Sequence, residues 1–218
     1  MSVMNGFRSE LINKIVGFNA HITVKPYEKK IDIDDLVKSN IKLISEDLIL
    51  SNSGEAIMIK SDTSKGVVLR GYSSKDFSKL KIIKDKTFIG DQNNLKKNYI
   101  SIGKELSFTL DLKIGDNITI MSSSSVETII GSLPKQKTFT VVSLFESGLT
   151  DFDNNIAFIN LETLEEFFNL DSSDRNLEIY LKSPQNIENQ KLIVQKKFPN
   201  EFVYSWSDMN SSLFSALK

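Results

Sequence analysis

Apolar positions recur with helical spacing at the start of the chain. Between Gly6 and Val16 they place Phe7, Leu11, Ile12, Ile15 and Val16 on one face, and Gly17 is expected to end that helix. His21 to Val24 reads as a short strand limited by Pro26, and the Asp-led run from Ile31 predicts a helix to about Lys42. Three strands are expected next, Asp47 to Ser51, Glu55 to Lys60 and Gly66 to Gly71, with Asn52-Ser53-Gly54 as a hairpin turn. A short capped helix at Ser74 to Leu80 completes a mixed α/β opening.

The texture then changes. Ile100 to Leu112 reads as a short helix, and Lys113 to Met121 as a turn entering a strand. Thr138 to Phe145 and Ile156 to Asn160 are β-prone, and Thr163 to Asn169 is amphipathic and helical. Between the middle strands lies Ser122 to Lys137, with four consecutive serines, one Gly and one Pro. Its roughly 16 residues are expected to form a loop, longer than most connections in a compact domain. Leu177 to Leu181 (strand), Asn186 to Phe198 (helix), Glu201 to Tyr204 (strand) and a capped helix from Ser207 close the chain. That ending resembles the opening, which predicts a split α/β module interrupted by a β-rich insertion.

Composition narrows the functional classes. The 218 residues carry 27 Lys plus Arg and 28 Asp plus Glu, a formal charge of −1, which argues against nucleic acid as a partner. The absence of Cys removes disulfides, thiolate metal sites and Cys nucleophiles together. One histidine, His21, excludes any mechanism that needs two imidazoles, and its place on a strand predicts a structural role. No apolar run approaches 18 residues and no leader is recognisable, so the chain taken alone reads as soluble and cytoplasmic. The last helix stops abruptly at Lys218, however, and the first starts without a leader, as expected of a domain cut from something longer.

Three constellations could carry chemistry. Asp32, Asp34 and Asp35 suit helix capping better than a metal site. Asp151, Asp153, Asn155 and Glu162 have acidic spacings of a calcium loop, but Ile156 stands where that loop needs Gly, which favours a solvated turn. The serines at 122–125 have no G-x-S-x-G elbow and no base nearby in sequence, and no Gly-rich phosphate loop occurs. The long loop differs, because Val126, Ile129, Ile130 and Leu133 fall where polar residues are expected, and Lys135 and Lys137 follow. Two readings stand: the loop presents apolar side chains to a protein partner, or it folds back to bury them.

A resemblance joins these observations. MSVMNGFRSEL (residues 1–11) with KIVGFNAHI (14–22) resembles the segment leaving the first transmembrane helix of LolC/LolE permeases, from the lipoprotein-releasing ABC transporter of Gram-negative bacteria. The likeness continues through IGKEL (102–106), LKIGD (112–116), GSLPKQKTFTVV (131–142) and DFDNNIAF (151–158). It closes at Ser205-Trp206, Asn210 and LFSAL (213–217), and the order and spacing of the motifs carry it.

The resemblance implies an α+β, MacB-like periplasmic domain. A membrane-proximal, porter-like α/β subdomain is expected from residues 1–85 and 172–218, and an inserted β-rich, sabre-like subdomain from 86–171. Asn5, Gly6, Phe7, Trp206, Asn210 and Phe214 would flank the membrane. A hook-like loop would capture the periplasmic chaperone LolA, and by position it comprises Val126, Thr128, Ile129, Ile130, Gly131, Leu133, Pro134, Lys135, Gln136 and Lys137. Family hooks often carry Pro and Met before this Gly, where this chain has Ile129 and Ile130. The implied partners are LolA, a second permease subunit (as a hetero- or homodimer), a separate ATPase subunit and the lipoprotein substrate. No cofactor or catalysis is expected of the domain, which would face the periplasm from the inner membrane. A MacB-type efflux or peptide exporter is the alternative within the superfamily, and a soluble hydrolase or calcium-binding protein the alternative outside it.

Overall fold

Alternating apolar residues dominate the middle of the chain, and in the computed structural model they become long strands. The structure describes residues 10, 13–27, 30–37, 40–84, 88–91, 95–128, 131–184 and 187–210. The elements begin with α1 (13–18), β1 (Ile22–Lys25), α2 (Ile33–Val37), α3 (Asn40–Ile44), β2 (Ser45–Lys60) and β3 (Thr63–Tyr72). There follow α4 (Ser74–Phe77), α5 (Lys81–Lys84), β4 (Phe88–Gly90), β5 (Tyr99–Gly103), α6 (Lys104–Thr109), β6 (Asn117–Thr128) and β7 (Gly131–Phe145). The chain continues with α7 (Thr150–Asn155), β8 (Ile156–Asn160), α8 (Leu161–Phe168), β9 (Asn176–Leu181), α9 (Ile187–Lys197), β10 (Phe202–Ser205) and α10 (Trp206–Met209). Two compact units result, Met1–Leu50 with Ser172–Lys218, and Ser51–Asp171. Residues 51–85 thereby belong with the β-rich middle, where the sequence reading had grouped them with the chain ends.

In the unit made from both ends, β1 lies antiparallel between β10 and β9, so that Val24 faces Val203 on one side and Leu177 on the other. Ile22, Val24, Ile179 and Val194 are fully buried there. His21 ties this sheet together: its Nδ1 accepts the amide hydrogen of buried Leu181 at 2.7 Å, and its carbonyl accepts from the Trp206 amide at 3.0 Å. Asp32 caps α2 by accepting from the Asp34 amide at 2.9 Å. Of the helix expected to run to about Lys42, α2 and α3 are the described parts, and residues 38 and 39 between them lie outside the described residues.

In the other unit, six strands pair in a closed circuit. β2 pairs with β3, β3 with β8, β8 with β5, β5 with β7, β7 with β6, and β6 again with β2. The inward residues form one apolar core including Met58, Leu69, Ile100, Ile102, Ile118, Ile120, Phe139, Val141 and Ile159. Helix α8 contributes Leu164 and Phe167, the latter edge-on to Phe139 with centroids 6.4 Å apart.

Three expectations are corrected here. Asn52-Ser53-Gly54 is no turn: β2 runs straight through it, and the reversal comes at Ser61 and Asp62, where Ser61 has φ 50°. The polar trio is explained by α8, because Asn52 donates to Glu165 Oε1 at 3.3 Å and a Cβ on Gly54 would lie 2.6 Å from the Phe168 ring. Ile100 to Gly103 is strand, not helix, since Ile100 and Ile102 both point into the circuit. Asp151 to Asn155 is helix α7, not a solvated turn or calcium loop, with Asp153 buried and accepting the Ser147 amide hydrogen at 2.8 Å. No cluster of possible metal ligands occurs among the described residues.

Two predictions follow from these buried groups. His21→Ala leaves the Leu181 amide without its acceptor and should destabilise the chain by about 1–3 kcal/mol in chemical denaturation. Asp153 has its carboxyl raised, first by burial and against the Ser147 hydrogen bonds. The folded state therefore binds this proton more tightly than the unfolded state, and the cost of ionising it appears as pH rises above the unfolded value of 3.8. Asp153→Asn should accordingly compare more favourably with the unaltered chain near pH ~7 than near pH ~4.5. An equal difference at both pH values would contradict this.

Candidate functional site

Ser122 to Lys137, expected to be a loop, is the outer part of a β-hairpin. Thr119 faces Thr138 and Met121 faces Gln136; after a bulge between Met121 and Ser125, Ser125 faces Pro134, Val126 faces Leu133 and Thr128 faces Gly131. Gly131 has φ 120°, a conformation that L side chains rarely adopt. Ile129 and Ile130, the two residues between Thr128 and Gly131, lie outside the described residues. The serines misled the reading, because what holds them in a strand is remote in sequence: Ala56 of β2 opposite Ser122 and Pro134 of β7 opposite Ser125.

Among the described residues, the pairings of β6 past Ser122 are with β7 alone, and β7 reaches β5 only from Thr140 onward. The hairpin therefore leaves the circuit, and its base needs other support. Helix α8 supplies it. Lys135 Nζ donates to the Glu166 carbonyl at 2.9 Å and to Asn169 Oδ1. Asn169 stands at the helix end in a left-handed conformation (φ 56°), and the carbonyls there favour a cation. Lys137 and Lys97 approach the Glu166 carboxylate at 3.8 and 3.3 Å. The Lys97 hydrogen bond first, then the Lys137 charge, hold Glu166 below the usual glutamate range. Burial lowers Lys137, whose ammonium lies 5.9 Å from the Phe139 ring centroid, and the Glu166 charge works against that shift.

Both lysines that the sequence offers to a partner thus have partners in their own chain. Lys97, Glu166 and Asn169 were missed by sequence reasoning; only the polar Asn at the helix end hinted at a role. Leu133, Pro134 and Gln136 are exposed, Leu133 to 50%. Gln136 also points its amide at Met121 Sδ, 3.8 Å away. Of the residues expected to flank the membrane, Asn5, Gly6, Phe7 and Phe214 lie outside the described residues. Trp206 is buried at the start of α10, and Asn210 donates to its carbonyl at 2.7 Å. The capping box of that helix links Ser205 and Asp208, and Lys191 reaches Asp208 at 2.7 Å. No helix among the described residues is long and apolar enough to cross a membrane.

Lys135→Ala should loosen the hairpin without unfolding the chain. Amides of β7 between Gly131 and Lys135 are expected to exchange about 5- to 10-fold faster, equivalent to about 1 kcal/mol of lost bracing, with Tm nearly unchanged. Unchanged exchange would show that the lysine does not hold the hairpin.

Comparison with known proteins places this geometry. No family model matches the chain. Over 225 residues, 100% of the chain, it is 25% identical to the lipoprotein-releasing system transmembrane protein LolC of Xylella fastidiosa (strain Temecula1), of which it covers 54%. To the LolC of Neisseria meningitidis serogroup B it is 26% identical over 228 residues, again 100% of the chain and 54% of the relative. The chain spans about half the length of the curated relatives it matches. The crystal structure of the periplasmic region of MacB from Actinobacillus actinomycetemcomitans matches with a TM-score of 0.51, over 94% of this chain and 97% of that one. At 9% identity the likeness is one of fold. The resemblance read from the residues is therefore borne out: in sequence the chain is similar from end to end to LolC transmembrane proteins of lipoprotein-releasing systems, and in fold to the periplasmic region of MacB.

Proposed function

We propose that this chain is the periplasmic domain of a lipoprotein-releasing ABC transporter permease, and that the β6–β7 hairpin docks a LolA-type chaperone. The observation that carries this reading is the hairpin itself. It occupies the segment that the LolC likeness assigns to the hook, it leaves the strand circuit, and it presents Leu133 to solvent. Its apolar outer end would lodge in the apolar surface of the chaperone, and the α8 brace would hold it at a fixed angle. A pre-positioned hairpin loses less conformational freedom on binding than a free loop.

The domain binds and transmits movement in this reading and performs no chemistry of its own. ATP would be hydrolysed by a separate cytoplasmic subunit, and a second permease subunit would complete the membrane part. Both chain ends belong to one unit, which suits entry from and return to the inner membrane on the same side. The lipoprotein would pass from that membrane to the chaperone for delivery to the outer membrane.

The second reading within the superfamily is a MacB-type efflux or peptide exporter, whose periplasmic domain would dock a different adaptor. Pulldown separates the two. The unaltered chain should capture LolA, and Ile130→Asp should abolish the capture, since a buried unpaired carboxylate is strongly disfavoured at an apolar contact. Undiminished capture by Ile130→Asp would sink the hook assignment, and adaptor binding without LolA binding would favour the exporter.

A further inference from the structure

Most glycines with described surroundings have a reason within the chain. A Cβ on Gly54 would strike Phe168, one on Gly71 would crowd Leu164, and one on Gly103 would lie 2.0 Å from the Asp153 carbonyl oxygen. Gly90, Gly115 and Gly131 have φ of 100°, 94° and 120°. Gly66 has neither reason. Its φ is ordinary for a side chain, and a Cβ there would meet nothing within 4 Å. A glycine inside a strand weakens it and often marks close approach by another molecule. Among the described residues nothing occupies the space that a side chain at Gly66 would take.

Gly66 borders an open pocket. A pocket of 410 Å³ opens there, lined by Glu55 and Ile57 of β2, Val68 of β3 and Asn155 at the end of α7. Ile57 is 41% exposed, unusual for an isoleucine in a paired strand. Glu55 is also exposed, and no ion pair of the described residues includes it. The pairing register connects this pocket to the hairpin. Gly66 stands opposite Ile57, Ile57 opposite Met121, and Met121 opposite Gln136. Residues directly opposite share a face, and their neighbours Ala56, Met58, Val67 and Ile120 fill the inner one. Gly66, Ile57, Met121 and Gln136 therefore form one outward row across four strands, ending on β7 of the hairpin.

We propose that this row is the second half of the docking surface. The partner held by the hairpin lodges one bulky apolar side chain over Gly66, between Ile57 and Val68, with a Lys or Arg beside it against Glu55. The proposal rests on the chaperone reading above. Continuity with the hairpin makes its partner the occupant, and the unpaired carboxylate specifies the charge that flanks the inserted side chain.

Calorimetric binding of the 218-residue chain to a LolA-type chaperone tests it. Gly66→Val places a β-favouring side chain in open space, so Tm should hold or rise while affinity falls at least about tenfold. Gly66→Ala should lose less, and Glu55→Lys should weaken binding in a salt-dependent manner. Unchanged affinity of a folded Gly66→Val variant, with binding abolished by Ile130→Asp, overturns the groove and leaves the hairpin reading standing. Absence of binding by the unaltered chain overturns both. Should Gly66→Val lower Tm, Ile57→Lys decides instead, and undiminished capture by it overturns the proposal. Self-association that Gly66→Val disperses while chaperone affinity persists would make the occupant a second copy, which also overturns it.

Discussion

The circuit of backbone hydrogen bonds in the middle unit is the constraint on which the rest depends. Buried strands must satisfy their amides and carbonyls, and an open edge would leave a row of them unpaired. β2 meets the requirement by pairing with β3 on one side and β6 on the other, which closes six strands around one apolar core. Closure fixes which face of each strand is inside. It thereby decides that Ala56, Met58 and Ile120 are core while Ile57 and Met121 face outward. The hairpin is a by-product of the same geometry, since β6 and β7 continue to pair with each other beyond the point where β2 and β5 release them.

Helix α8 couples the core to the hairpin. Its apolar face supplies Leu164 and Phe167 to the interior, and its buried Glu165 takes the Asn52 amide. Its last turn offers the Glu166 carbonyl and the Asn169 side chain to Lys135, with the Glu166 carboxylate between Lys97 and Lys137. Glycines at 54 and 71 let the helix lie directly on β2 and β3. A hairpin attached this way inherits rigidity from the core, so a load on it is transmitted into the unit. That property suits the role proposed above, in which the domain holds a partner and moves with a transporter.

Much of the element order was legible from apolar periodicity. The strands at Ile156–Asn160 and Asn176–Leu181 and the helices at 161–168 and 187–197 fall within a few residues of expectation. The failures share one cause. Asn52-Ser53-Gly54 has the local chemistry of a turn, yet α8 provides the buried acceptor and the ring that make those residues suit a strand. The serines at 122–125 look like loop, yet Ser122 pairs with Ala56 of β2 and Ser125 with Pro134 of β7. Ile100 to Leu112 has apolar spacing compatible with either state, and the circuit selects strand for its first part.

The amino-acid sequence by itself determined the character of the protein: a split α/β module with a β-rich insertion, an apolar segment in that insertion, no thiol chemistry and a single histidine. Those features depend on residue type and local spacing, which a linear reading contains. Only the tertiary structure decided that the apolar segment is a braced hairpin, that Lys135 and Lys137 serve α8, and that a Cβ on Gly66 would stand in open space. Each of these depends on contacts between residues far apart in the chain. Strand pairing, helix placement and the space left around a missing Cβ exist only once the circuit has closed.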